Sequence, residues 1–114
     1  MFNTQDSAIL CAFFASMLWQ DGDLDGGARD ALATFASELR WEADDPRLLD
    51  WSFAPPEADE IDPTLVPRHL THAVLAACTL AASITPSLQK YETLELLEAL
   101  LPAPLAEAPE LIAA

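Results

Sequence analysis

Apolar residues recur at three- and four-residue spacings through four blocks of this chain, and no Val/Ile/Thr alternation runs long enough to make a strand. That constrains the fold most, because a stripe with a period near 3.6 residues can be buried only by a helix. In the first block, residues 4–19, Ile9, Leu10, Phe13, Phe14, Met17 and Leu18 recur in this way, and Thr4 or Asp6 is placed to cap. The apolar arc is wide, which predicts a central helix, and Ala12, Ala15 and Ser16 are small enough to let a neighbour approach closely. Residues 26–41 predict a second, cleanly amphipathic helix with Ala28, Ala31, Leu32, Phe35, Ala36 and Leu39 on one stripe. Residues 63–84 predict a third, capped by Asp62, with Leu70, Val74, Ala77, Leu80 and Ala81 inward; Pro67 kinks it or delays its start. Residues 86–101 predict a fourth, with Leu88, Tyr91, Leu94, Leu97, Leu100 and Leu101 inward and Glu92, Glu95 and Glu98 outward. The expected fold is all-α: a compact bundle of two helical hairpins, four main helices plus short extra turns.

The hairpins are joined by an irregular stretch, residues 42–62, that holds Pro46, Pro55, Pro56 and eight acids. Proline is tolerated at a first helical position, so Pro46–Trp51 reads as a short helical turn. Trp51 and Phe53 are expected to pin this stretch to the core, and connections of this length are usually functional. The 114 residues, 52% of them hydrophobic, supply one domain and one core, with a loose tail expected over 102–114. The formal charge is −14, and its weight lies in residues 1–62, with fourteen acids against three bases. Such a field repels phosphates and anionic lipid and attracts cations and basic protein surfaces. Direct nucleic-acid binding is therefore not expected, and acidity that serves only solubility is the plain alternative. The longest mainly apolar stretch, residues 8–19, is too short to span a bilayer, and the N-terminus has no basic leader-like region. No membrane insertion and a cytoplasmic location are expected.

The most distinctive local chemistry is Asp21-Gly22-Asp23-Leu24-Asp25-Gly26. Carboxylates at the first, third and fifth places, with glycine at the sixth, match the first half of a calcium loop. The second half does not match: the twelfth place, where a bidentate Glu closes such a site, is Leu32. What is left is a weak site for Ca2+ or another divalent cation on Asp21, Asp23, Asp25 and water. The other reading makes the segment a helix junction, with Gly22 ending one helix and Asp25 capping the next.

An apolar helix, then Trp19-Gln20-Asp21-Gly22-Asp23-Leu24, then an amphipathic helix resembles the TerB-like (tellurite resistance protein B) helical family over residues 8–40. The resemblance implies a small non-enzymatic helical bundle with an acidic, cation-binding surface in a stress or defence setting. By it, Asp21 and Asp23 carry over as ligands. Two departures stand out: Ala81-Ala82-Ser83-Ile84 occupies the place of a second Asp-Gly, and the helix Glu falls on Ala28.

Other constellations are sparse. Cys11 and Cys78 sit in apolar helical stretches and read as buried small hydrophobes, with a disulfide left open. His69 and His72 share a helix face, but a metal there would need a third ligand such as Asp62. The chain has only three glycines and no phosphate loop, and no catalytic triad has local context, so no enzyme is expected. Trp19, Trp41 and Trp51 fall in the acidic half, either as core and rim or as a patch for an arginine-rich partner. Two functions remain open. One is a TerB-like interaction protein tuned by a divalent cation. The other is an acidic inhibitor, immunity protein or nucleic-acid mimic. The latter would engage a basic protein surface through Asp44, Asp45, Asp50, Glu57, Asp59 and Glu60.

Overall fold

The first apolar block forms α1 (Thr4–Leu18), and it is buried on nearly every side. A computed structural model describes residues 3–22, 24–41, 45–84 and 86–104. Because α1 has apolar residues almost all round, it needs neighbours almost all round, and it becomes the axis of an all-α bundle. Its cap is neither Thr4 nor Asp6 but Asn3, whose side chain accepts from the Asp6 N–H at 2.7 Å. The helix tightens into a 3-10 turn at Trp19–Asp21 and stops at Gly22, which takes φ +89. That left-handed conformation is open to glycine without a Cβ penalty.

α2 (Gly26–Glu38) folds back on α1 and buries Ala28, Leu32 and Ala36, with Phe35 stacked on Phe14 at 4.2 Å. Its end is a Schellman turn: the Arg40 N–H donates to Ser37 O and the Trp41 N–H to Ala36 O. Arg40 occupies the left-handed position there, at φ 60. Trp41 and Ala36, buried at the two ends of the turn, supply its usual apolar contact.

The Pro-rich connection folds into α3 (Pro46–Trp51) and 3-10 turns at Ala58–Glu60 and Pro63–Leu65. As expected, Pro46 takes the first turn of α3, capped by Asp45. Pro67 delays the third main helix: a 3-10 turn at Arg68–Leu70 comes first, and α4 (Thr71–Ile84) starts at Thr71. α4 packs more extensively on α1 than any other element does. Leu70, Val74, Ala77 and Ala81 are buried as expected, but Leu80 faces out. Cys11 and Cys78 are buried free thiols with no disulfide, and Cys78 Sγ points to Phe13 O.

α5 (Leu88–Leu100) returns along α4 with Ser87 as its cap. Here the expected inward face is only half right. Leu97 and Leu101 are buried and Leu94 partly so, but Leu88, Tyr91 and Leu100 are exposed. The buried stripe runs through Lys90, Leu94, Leu97 and Leu101, with Thr93 on its flank bonded to Gln20. Leucines occur on several sides of this helix, so their spacing does not fix which side turns inward. Lys90, the chain's single lysine, is 0% exposed. The start of the expected loose tail is tied down: Thr71 Oγ1 donates to Pro102 O and Arg68 Nε to Ala103 O, both at 2.9 Å.

Two outcomes follow from this packing. Arg40→Gly relieves the left-handed strain and raises stability by about 0.5–1 kcal/mol in urea unfolding, provided Trp41 keeps its place. Burial pushes both thiols up from 9.0 to about 12, so the fold holds them protonated. Unfolded thiols ionise first, so this contribution is complete below pH 9 and is lost as pH rises from there toward about 12. Cys11→Ala/Cys78→Ala should therefore show a shallower loss of urea midpoint above pH 9 than the parent.

Candidate functional site

The three elements packed around the indoles build the site. Trp51, at the end of α3, is buried, and its carbonyl accepts from the Trp19 Nε1–H at 2.8 Å. Trp41 lies 5.7 Å from Trp51, so Trp51 links the other two tryptophans; Trp41 and Trp51 belong to the core and Trp19 packs partly buried against it. Arg29, reaching from α2, donates its Nε–H to Ser52 O at 2.9 Å and lays its guanidinium over Phe53 at 5.4 Å. Arg47 lies over Trp41 at 5.1 Å and donates Nε–H and Nη2–H to the Asp45 carboxylate, each at 3.2 Å. The same bonds hold the Asp45 carboxyl below the usual carboxylate range and the Arg47 guanidinium above its own.

These contacts fix α3 against α2 but leave a cleft of about 580 Å³ between α3 and the Ala58–Glu60 turn. Asp50, Glu57, Asp59 and Glu60 border it, together with Trp51 and Phe53. Phe53 was expected to pin the connection to the core; instead it is 68% exposed, because Trp51 anchors the segment and Phe53 falls beyond the helix. The Ala58–Glu60 turn is held by the Glu57 N–H, which donates to Glu60 Oε1 at 2.8 Å. Nearby, Asp62 accepts from the Thr64 N–H and hydroxyl, which lowers its carboxyl.

Four of the six acids expected to meet a partner therefore border one cleft. Asp45 does not: it is committed to capping α3 and to Arg47. Asp44 lies outside the described residues. Sequence spacing alone could not bring Asp50 beside Glu57, because the intervening bend depends on Pro55, Pro56 and the anchored Trp51. Phe53 departs from expectation because an aromatic residue is more often buried than displayed.

The acidic loop is only partly described. Asp23 and the side chain of Asp21 lie outside the described residues. Asp25 caps α2, accepting from the Ala28 N–H at 2.8 Å, so one of the two expected roles of this loop is present. Among the described residues no three His, Cys, Asp or Glu side chains come together as metal ligands. His69 and His72 do not act together: His69 Nε2 lies 3.3 Å from both oxygens of Asp6, and His72 is exposed. No helix among the described residues is long and apolar enough to cross a membrane.

The capping role has a measurable consequence. Asp25→Ala should cost about 1 kcal/mol in urea unfolding, and equally in calcium and in a chelator. A cost that grows when calcium is present would instead make Asp25 a ligand.

Comparison with protein-family models, with curated proteins and with solved structures finds no match to this chain.

Proposed function

We propose that this chain is a non-enzymatic interaction protein whose cleft between α3 and the Ala58–Glu60 turn receives a basic group on a partner protein. The observation that carries this reading is the meeting of Asp50, Glu57, Asp59 and Glu60 with Trp51 and Phe53 around one opening. Carboxylates supply attraction and orientation, and a partly exposed aromatic supplies area that can be desolvated without losing a hydrogen bond. Arg47 also borders the cleft, but its charge is engaged by Asp45, so the rim remains negative toward a visitor. The resemblance of residues 8–40 to TerB-like proteins supports the same class, a helical bundle acting through an acidic surface. Among the alternatives, a nucleic-acid mimic would set its acids along a convex ridge, and a concave rim favours receiving a basic group over inserting into a basic site.

A short Arg- and Lys-rich peptide, titrated while tryptophan fluorescence is followed, should bind and perturb the signal, because Trp51 borders the cleft. Raising salt from about 0.1 M to about 1 M shortens the screening length from about 10 Å to about 3 Å, so binding should fall at least about ten-fold. Asp59→Asn/Glu60→Gln should weaken binding by a similar factor while leaving the circular dichroism unchanged. Affinity indifferent to both salt and these substitutions would sink the proposal.

A further inference from the structure

The cleft does not end at α3. A second depression shares Arg47, Trp51, Asp59 and Glu60 with it and is floored by Ala8, Ile9 and Ala12 of α1. A third shares Ile9, Asp59 and Glu60 with the second and opens beside Leu65. The three depressions adjoin one another at Asp59 and Glu60, and the second and third lie along a flank of α1; together they form a segmented groove. Phe53 borders its first depression and Leu65 its third, exposed by 68% and 71%. Acids lie between them. An apolar–acidic–apolar groove is complementary to a segment that is apolar–basic–apolar.

The chain's own arginines indicate which basic group fits. Arg29 stacks on Phe53 while its Nε–H satisfies a carbonyl, and Arg47 stacks on Trp41 while its fork satisfies a carboxylate. A ring face beside an oxygen acceptor has thus been filled by a planar guanidinium twice within this small region. A guanidinium stacks and forks at once and is less strongly hydrated than an ammonium, so this pairing favours arginine over lysine. At the cleft, Phe53 is covered on one side by Arg29 yet still 68% exposed, and it borders the opening together with Asp50 and Glu57.

We infer that the groove docks a segment of a partner protein in which an arginine, flanked by apolar residues, stacks on the part of Phe53 that Arg29 leaves exposed among the cleft acids, while an apolar side chain covers Leu65. This rests on the cleft being a receptor for basic groups, and it adds a choice between cations and a second anchor point.

Three peptides separate the two claims: an amphipathic Leu/Arg peptide, its Leu/Lys twin, and a Ser/Arg twin in which serine replaces each leucine. Titrated into the intact chain, the Leu/Arg peptide binds about five-fold tighter than either twin. Phe53→Ala removes the preference for arginine over lysine, and Leu65→Ser removes the preference for leucine over serine. Both positions are exposed, so neither change should alter the fold, and unchanged thermal unfolding checks this. Equal binding of all three peptides, unaffected by Phe53→Ala and Leu65→Ser, overturns the inference while leaving the acidic receptor intact. No binding of any peptide at low salt overturns both.

Discussion

The structure depends on the burial of α1. A helix with Leu10, Phe13, Phe14, Met17 and Leu18 on several faces cannot rest on one partner, since any face left to water forfeits its transfer free energy. α4 covers one side, α2 another, and α3 a smaller part of what remains. Coverage along that last side is incomplete. α3 has only six residues, and the chain between it and Pro63 holds two prolines that prevent a longer helix. Ile9 is left partly buried, with Ala8 and Ala12 beside it at the floor of the groove. The groove is thus where a short, proline-broken connection cannot finish enclosing a helix that is apolar nearly all round.

Arginine and aromatic side chains hold that connection. Burial of Trp51 fixes its position, the Trp19–Trp51 hydrogen bond joins it to the end of α1, and Arg29 joins it to α2. Each of these bonds is aimed at a backbone carbonyl at the C-terminal end of α3, where a helix leaves acceptors unsatisfied. With those acceptors engaged, the residues beyond Trp51 can turn away from the core. Phe53 is consequently exposed by a contact network that satisfies its neighbours.

The helix layout was legible because α1, α2 and α4 have strong apolar periodicity and the loops have strong punctuation: Gly22, Asp25, Pro46, Asp62 and Pro67 act as their chemistry demands. The facing of α5 was not. Leu88, Leu96, Leu97 and Leu100 together offer several inward faces, and the one adopted buries Lys90, which no hydrophobic pattern would select. The cleft was half legible. Its acids were visible as a rich stretch, but their convergence depends on Trp51 packing against residues more than thirty positions earlier, a tertiary fact that spacing does not encode. Asp25 was legible as a cap because capping is local.

The acids of this region divide by their work. Asp45 and Asp62 cap turns and have lowered carboxyls because hydrogen bonds favour their charged forms; Glu60 braces its own turn. Each contributes to the fold whether or not anything binds. The side chains of Asp50 and Asp59 accept no hydrogen bond among the described residues, and both border the cleft with Glu57 and Glu60. Four carboxylates facing one opening give it a negative field that salt screens. A basic side chain entering the cleft would be attracted by both residues. The structural acids keep the rim in place, and under the proposed function the unpaired ones would draw positive charge to it.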